Sequence, residues 1–431
     1  MSKNTIYQIT LTPIGRFFFG GEVVFGGGED AQDERRRSYL VHSNLLPQQT
    51  TLLGMLREEL LRKNHLLKPW RDDQKADKQG NIRSKVEKKE AAVALVGKSG
   101  FAIGSSADFG LIKRLSPLVL CDRNEQQYQV APLDDRMVKI QKGDQMASHP
   151  LAWISKQNAN EPLRLKAYNP KNELQLAFAP AAKETAPKPL ADFFQQQDQV
   201  GIKVSNRLNW RKNSGDEEGF FRHSSYRNDT SVYAQNTATA EKPKGQQAYS
   251  FRFWVEVAQP DQTTALWQDG LVQMGGERST FKMKVEKQVT KKSSDEGLFT
   301  VVPRYNTTAP AGYERILLLN DTYLPAEVLK SNGVFALAHT QHFRFFSSDL
   351  ETVDNFYDFR QKRKRQGIDK QIFQFNKITE STKGRQQSKR YTFLQRGGVL
   401  LVPTAQLNII KNAISQRQDF RQIGYNYFQI L

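Results

Sequence analysis

Four short segments of the sequence combine glycines with arginine and aromatic residues. They are RFFFGGE (16–22), QMGGERSTFK (273–282), QRGGVLL (395–401) and FRQIGYNYF (420–428). Glycine lets a phosphodiester approach backbone N–H groups, arginine binds phosphate through paired hydrogen bonds, and an aromatic ring stacks on a base. A Gly-Gly pair is also common at hairpins and bulges, so each segment alone has a structural explanation. Together the four favour a surface that holds single-stranded RNA across a sheet.

The six histidines are the residues that could support catalysis. His339 and His342 lie three positions apart, but no cysteine nearby completes a zinc site. His42, or His223 in FFRHSSYR (220–227), could supply the base of a metal-free endoribonuclease. The glycine-acid segment FGGGED (25–30) lacks a second carboxylate on the preceding strand, so we reject two-metal chemistry there. We expect no catalytic residue, no metal and no cofactor.

The charge of the chain points to a polyanionic partner. Its 431 residues include 63 Lys and Arg against 45 Asp and Glu, a formal net charge of +18. Residues 360–390 hold eleven basic and two acidic residues, which contribute +9 of that total. The single cysteine, Cys121, excludes a disulfide framework. The longest apolar run, AAVALVG (91–97), is far too short to span a membrane, so we expect a cytoplasmic protein with no membrane partner.

Hydrophobic periodicity predicts an α+β fold, rich in strands. We expect short strands over 5–26, a helix within 43–63 whose first turn is capped by Thr50 or Thr51, and paired strands over 111–122 and 128–134. The charged segment 68–90 reads as an insertion that is mobile or ordered by a partner. A proline-rich crossover at 177–194 marks the main domain boundary. Strands restart at 249–257 and 315–324, and 393–431 reads as strand, helix, glycine turn and strand.

Several stretches, spread in order over most of the chain, carry a family resemblance. Pro47, Thr50 or Thr51, Gly54 and Arg57 fit a Pro-x-x-Thr-x-x-Gly-x-x-Arg helix start. The others are SPLVLCD…YQVAPLDD (116–135), VGIKVSNRLNW…EGFFRHSSYR (200–227), MGGERSTFKMKV (274–285), RGGVLLV (396–402) and IGYNYFQIL (423–431). Together these stretches resemble the RAMP superfamily of CRISPR proteins, and within it the family of third subunits of type III-B Cmr effector complexes.

The resemblance implies two ferredoxin-like (RRM-type βαββαβ) domains with charged insertions. We assign residues 1–198, with an insertion near 64–92, to the first domain, and 199–431, with a basic insertion near 360–390, to the second. It also implies a non-catalytic subunit that grips the 5′ handle of the CRISPR RNA. Its partners would be the large polymerase-like subunit and a RAMP backbone subunit in a hetero-oligomeric ribonucleoprotein. A β-hairpin thumb would come from 64–92 or from 286–300.

The residues assigned to RNA binding come from five segments of the chain. They are Arg16, Phe18, Gly20, Gly21, Thr50, Thr51, Gly54, Arg57, Arg222, His223, Arg227, Gly275, Gly276, Arg278, Lys282, Arg396, Gly397 and Gly398. We expect Arg57 to join the free N–H groups of Thr50 and Thr51 at a phosphate, and Glu277 to orient Arg278 by ion pairing. Two alternatives remain: a RAMP endoribonuclease that processes precursor CRISPR RNA, and a protein that coats nucleic acid without specificity.

Overall fold

The protein is described by a computed structural model. The description covers residues 4–25, 39–67, 84–98, 100–101, 103–104, 107–135, 137–142, 145–154, 164–166, 174–180, 187–203, 219–228, 248–259, 264–275, 277–288, 308–343, 346–347, 386–387 and 391–431. These residues form an α+β structure with many strands and few helices, which confirms the predicted class.

The strands of the first half are β1 (Thr5–Pro13), β2 (Arg16–Phe17), β3 (Phe19–Phe25), β4 (Tyr39–Asn44), β5 (Ile112–Leu115), β6 (Val119–Cys121), β7 (Gln127–Val130), β8 (Met137–Lys142), β9 (Gln145–Pro150), β10 (Ala152–Ile154), β11 (Arg164–Lys166), β12 (Ala177–Pro180) and β13 (Lys188–Pro189). Those that follow are β14 (Gln195–Lys203), β15 (Gly219–Arg227), β16 (Ser250–Val257), β17 (Gly270–Met274), β18 (Ser279–Gln288), β19 (Tyr313–Leu318), β20 (Phe335–Leu337), β21 (Thr340–Phe343), β22 (Phe346–Ser347), β23 (Gln386–Gln387), β24 (Tyr391–Leu394), β25 (Val399–Pro403) and β26 (Phe428–Ile430). The helices are α1 (Gln49–Lys63), α2 (Lys85–Val96), α3 (Ala326–Ser331), α4 (Leu407–Ser415) and α5 (Gln418–Arg421).

The largest sheet has nine strands, with β1 in its interior. Its order is β13-β12-β7-β6-β16-β1-β18-β17, and β5 also pairs with β16. One face is apolar because alternate residues of the strands, such as Ile9, Leu11, Phe251 and Phe281, are fully buried. Helix α1 packs in the same core through its leucines, and Trp267 donates from Nε1 to the carbonyl oxygen of Leu56 at 2.9 Å.

A second sheet has the order β14-β15-β4-β3, and β2 also pairs with β15. Strand β15 runs antiparallel to β14 and β2 but parallel to β4. A parallel pair needs a long crossover between its strands, which the intervening residues provide. This sheet therefore depends on residues that lie far apart along the chain.

The third sheet lies in the C-terminal part and has the order β20-β25-β19-β26, with every pair antiparallel. Along the chain its elements follow as β19, α3, β20, β25, α4 and β26. Its core is a compact cluster in which Ile316, Leu318, Leu400, Ile410 and Ile414 are fully buried. The sequence predicted the final strand, helix, glycine turn and strand of this region correctly.

The boundary between residues 1–198 and 199–431 falls inside β14, a continuous strand of nine residues. The nine-stranded sheet also combines β1 and β5–β7 from before that position with β16–β18 from after it. The nine-stranded sheet therefore contains strands from both sides of residue 198. The sheets divide instead between β18 and β19, because β1–β18 contribute no strand to the third sheet.

Helix α1 begins one residue before the threonines that were predicted to cap it. The N-cap residue is Gln48, with no side-chain hydrogen bond to the first turn, so the prediction of a cap at Thr50 or Thr51 is wrong. Both threonines lie inside the first turn. The reason is that the hydroxyl group of Tyr425 satisfies the helix end from outside, by accepting a hydrogen bond from the N–H of Gln49 at 3.2 Å.

Part of the charged segment 68–90 is helical. Helix α2 starts with a capping box, in which Ser84 Oγ accepts from the N–H of Glu87 and the Glu87 carboxylate accepts from the N–H of Ser84. Residues 85–90 of the segment that was predicted to be mobile or ordered by a partner are therefore helical. The remainder of that segment, residues 68–83, lies outside the described residues, as does 360–390 apart from β23.

Candidate nucleic-acid interface

Three segments that are distant in the sequence meet at one end of the nine-stranded sheet. They are the stretch 14–20 after β1, strand β15, and the turn 275–278 between β17 and β18. Phe18 donates its N–H to Ser279 Oγ at 2.9 Å. In the antiparallel pairing of β2 with β15, Arg16 lies opposite Arg227. The structure therefore brings together most of the predicted RNA-binding residues of the first, third and fourth assigned segments.

Phe18 and His223 form an aromatic contact in this region. Their ring centroids are 4.3 Å apart, and the ring planes are inclined by 32°. Phe18 is buried and His223 is partly exposed, so the phenyl ring packs against an imidazole that is partly accessible to solvent. A flat, supported ring is suited to stacking on an unpaired base.

The turn between β17 and β18 is tight and presents an arginine. Gly275 has φ +76°, and a Cβ placed there would lie 3.0 Å from the carbonyl oxygen of Phe18, so glycine allows the turn to approach the backbone of Phe18. Arg278 has φ +52° and donates its N–H to the carbonyl oxygen of Gly275 at 3.1 Å. Its side chain is exposed. Gly276 lies outside the described residues.

The cations of this region are of two kinds. Arg16, Arg278 and Lys282 are exposed, and none of them forms an ion pair with any residue that the structure describes. The predicted ion pair between Glu277 and Arg278 is therefore not formed within that part of the chain. Unpaired exposed cations are available to phosphate groups without first breaking an internal contact.

Arg222 and Arg227 instead have internal partners on β14. Arg222 Nη2 binds the carboxylate of Asp198, and Arg227 Nε donates to the side-chain oxygen of Gln195 at 2.9 Å. Hydrogen bonds from Ser224, Gln196 and Arg222 hold the pKa of Asp198 well below its usual range. These two arginines therefore stabilise the β14–β15 pair as well as adding positive charge.

Gly20 and Gly21 lie where β3 departs from regular pairing with β4. The register shifts between Gly20 and Val23, and Gly20 is exposed with open space around its Cα. A glycine bulge of this kind leaves backbone groups accessible to a ligand.

The other assigned residues lie elsewhere in the fold. Gly54 is exposed in the middle of α1, and no atom lies within 4 Å of the position that a Cβ would occupy there. Arg57 is largely buried: Nη2 donates to the carbonyl oxygen of Gly97 at 3.3 Å, and the guanidinium lies 5.9 Å from the ring centre of Phe109. Burial lowers its pKa to about 10 despite the nearby carboxylate of Asp108. This environment favours a structural role for Arg57.

The first-turn N–H groups of α1 are already bonded. The N–H of Gln49 is bonded to Tyr425 Oη, and the N–H of Thr51 donates to the carbonyl oxygen of Gln48 at 2.9 Å. Burial raises the pKa of Tyr425 far above its usual value, so the phenol remains protonated there. The expectation that Thr50 and Thr51 offer free N–H groups to a phosphate therefore fails at Thr51.

The segment 396–398 is a buried, closely packed turn rather than a surface loop. Arg396 is 3% exposed, and its backbone N–H, Nε and Nη2 all donate to the carboxylate of Asp321. A Cβ at Gly397 would lie 3.0 Å from Val130 Cγ2, and one at Gly398 would lie 2.6 Å from Ala338 Cβ. The close packing explains this glycine pair, as sequence reasoning allowed for each such pair.

The histidines considered for catalysis do not lie together. In the parallel pairing of β15 with β4, His223 is opposite Val41 and Ser224 is opposite His42. Because side chains alternate across a strand, His42 and His223 project from opposite faces of the sheet. His339 is bonded to the carbonyl oxygen of Leu174 through Nε2. Within the described ranges, no three His, Cys, Asp or Glu side chains are placed to hold a metal ion.

A β-hairpin that sequence reasoning did not single out is formed by β8 and β9, which among the described strands pair only with each other. The signal was present in the alternating segments on either side of Gly143-Asp144, because a Gly-Asp pair is typical of two-residue hairpin turns. Neither of the two segments predicted to form a thumb shows a hairpin in its described part, and 68–83 and 289–300 lie outside it.

No described helix is long and apolar enough to cross a membrane. Comparison with protein families gives a match over residues 9–366 to the family described as CRISPR-associated protein (Cas_Cmr3). The match covers most of the chain, and the chain therefore belongs to the Cas_Cmr3 family of CRISPR-associated proteins. This confirms the family that the sequence motifs resemble.

Two solved structures are similar to the chain. One is described as a cryo-EM structure of the Type III-B Cmr-beta bound to cognate target RNA, with 11% identity, coverage of 98% of this chain and 96% of the other, and a TM-score of 0.41. The second is the same assembly bound to cognate target RNA and AMPPnP, state 1, with 11% identity, the same coverage and a TM-score of 0.39. A comparison with curated proteins found no match.

Proposed function

We propose that this protein is a non-catalytic subunit of a type III-B CRISPR effector complex that holds the 5′ handle of the CRISPR RNA. The observation that carries the proposal is that the segment with Arg16 and the turn with Arg278 meet strand β15 at the Phe18–His223 ring pair. Unpaired cations provide phosphate contacts and the ring pair provides a stacking surface. A short single strand with splayed bases is recognised by this combination.

The fold is consistent with two ferredoxin-like units, which we include in the proposal. In the third sheet, the element order βαββαβ and the strand order β20-β25-β19-β26 are those of such a unit. In the nine-stranded sheet, β5, β16, β1 and β18 repeat this antiparallel order around β1, with α1 following β1. The first unit then extends to β18, and the second begins at β19.

We assign the thumb of this subunit to the β8–β9 hairpin, because with six residues in each strand it is the longest of the four two-stranded sheets among the described residues. The partners in the proposal are the large polymerase-like subunit and a RAMP backbone subunit. A cytoplasmic location accords with this role. The opposite orientation of His42 and His223 argues against the two histidines acting together as acid and base, and an endoribonuclease that uses one of them as its base stays the alternative.

Binding of labelled RNA tests the proposal. Full-length protein is titrated, alone and with the large subunit, with RNA that carries the cognate 5′ handle, with a scrambled handle, and with the DNA equivalent, over a salt series. We expect at least a tenfold preference for the cognate RNA, and we expect Arg16→Ala and Arg278→Ala each to reduce the magnitude of the salt slope by about 0.7. Lys330→Ala, an exposed cation at the end of α3, is the matched control.

If the protein binds all three ligands with equal affinity and this binding is lost at high salt, the protein coats nucleic acid without specificity and the proposal is wrong. Cleavage of a precursor transcript without metal would instead support the endoribonuclease. His223→Gln then separates the two roles, because it would abolish cleavage if the imidazole is a base and would only weaken binding if it is a stacking surface.

A further inference from the structure

Two aliphatic side chains are unusually exposed beside the cations of the candidate interface. Ile14 is 48% exposed and Leu271 is 67% exposed. Scattered exposed apolar residues are ordinary, but these two belong to neighbouring parts of one sheet. Ile14 directly follows β1, and Leu271 lies in β17 at the end of the nine-stranded sheet.

The strand register places both residues on the face opposite the apolar core. Leu271 is paired with Lys282, and Lys282 is paired with Thr12. The N–H of Ile14 donates to the carbonyl oxygen of Thr280 at 3.0 Å, which continues the β1–β18 pairing by one step. Since residues two apart share a face, Ile14, Thr12, Lys282 and Leu271 lie on the same outer surface.

The same face changes character along β1. Towards the start of the strand it is covered by internally paired groups: Gln8 Nε2 donates to Glu286 at 2.8 Å, Lys284 is 2.9 Å from the same carboxylate, and Arg252 is bound by Glu125. Around Ile14 and Leu271, the cation Lys282 is exposed and unpaired among the described residues. The free positive charge of this face is therefore concentrated where the aliphatic groups are.

Two further cations flank this patch. Arg16 lies two residues after Ile14, and Arg278 lies two residues before Thr280, to which Ile14 is bonded. Both arginines are exposed. Exposed aliphatic groups on either side of Lys282, with unpaired arginines nearby, match a ligand that carries phosphates beside flat apolar surfaces, and single-stranded RNA has both.

We propose that Ile14 and Leu271 form an aliphatic ledge on which an unstacked base of single-stranded RNA packs, while Lys282 and Arg16 bind the flanking phosphates. The inference rests on the proposed RNA-binding function and adds a contact that is apolar. Such a contact does not distinguish bases by hydrogen bonding, so it sets affinity at that nucleotide more than sequence preference. It also releases no counterions, so its loss leaves the salt slope unchanged.

The experiment compares the double variant Ile14→Thr/Leu271→Thr with wild type in titrations of labelled handle RNA at several salt concentrations. Threonine is β-branched and therefore suited to strands, and it removes apolar surface at both positions. We expect about five- to tenfold weaker binding at every salt concentration, with parallel slopes. Val86→Thr and Ile409→Thr are matched controls, because those residues are 63% and 51% exposed on α2 and α4.

Thermal melting of all variants establishes that the fold is retained. Wild-type affinity in the double variant, together with weakened binding by Arg16→Ala, would overturn the ledge and leave the proposed function intact. If neither variant changes RNA binding, the proposed function itself fails. Unchanged RNA affinity with lost capture of the large subunit would also overturn the ledge, because it would show that the patch docks a protein.

Discussion

Arg315 and Asp134 form a buried, two-pronged ion pair between β19 and the loop that follows β7. Arg315 Nε lies 2.9 Å from Asp134 Oδ2, and Nη2 lies 2.6 Å from Oδ1. The indole N–H of Trp153 donates to the same carboxylate at 2.8 Å. Because the two residues are 2% and 0% exposed, the pair links the third sheet to the first through charges that are shielded from solvent.

Removal of one partner should destabilise the protein strongly. We expect Asp134→Ala to lower the free energy of unfolding by about 3–5 kcal/mol, because it leaves the Arg315 charge buried without its carboxylate. Denaturant unfolding followed by tryptophan fluorescence measures the change. Glu58→Ala, which breaks the exposed pair with Arg62 on α1, is the control and should cost less than about 1 kcal/mol. Similar losses for both variants would contradict a special role for the buried pair.

Alanine substitutions at two glycines should have opposite effects. Gly54 lies in the interior of α1 with open space around it, so Gly54→Ala should raise the free energy of unfolding by about 0.5–1 kcal/mol. Gly397 has φ +81° and close neighbours, so Gly397→Ala should destabilise by more than about 1 kcal/mol. Thermal melting measures both. A stabilised Gly54→Ala protein that binds handle RNA more weakly would show that the RNA backbone approaches α1.

Acid sensitivity should depend in part on Asp198. Its depressed pKa means that the ionised carboxylate stabilises the folded state at every pH above the unfolded value of about 3.9. This stabilisation is lost as the pH falls below about 4 towards the folded pKa. Asp198→Asn should therefore show a smaller loss of stability between about pH 5 and pH 2 than wild type. The exposed Asp192→Asn serves as control, and identical acid profiles for wild type and Asp198→Asn would refute the prediction.

Local patterns in the sequence predicted elements well where the pattern is repeated. The leucines at 52, 53, 56 and 60 mark the buried side of α1, and alternation marks β1 and β16. The start of α1 was misplaced because its external partner, Tyr425, lies more than 370 positions away and leaves no local signal. A hydrogen bond from the first turn of a helix to a residue far along the chain cannot be predicted from the residues beside that turn.

Glycine-arginine segments illustrate the same limit for the site. RFFFGGE and GGERS meet in space and keep exposed cations, whereas Arg396-Gly397-Gly398 has the same composition but is buried against Asp321. The difference depends on a carboxylate 75 positions away, which composition does not reveal. Likewise, the apparent boundary at the proline-rich crossover did not anticipate that β1 pairs with β16 and β18.

The interior position of β1 has a consequence for biosynthesis. Tyr7 pairs with Val255 on one side and with Lys287 on the other. At a translation rate of about 5–20 residues per second, the nascent strand waits roughly 14–56 s for both neighbours to be synthesised. Throughout that interval its apolar face and both backbone edges are unprotected. We therefore expect the chain to need chaperone capture during translation more than a protein whose sheets assemble from consecutive strands.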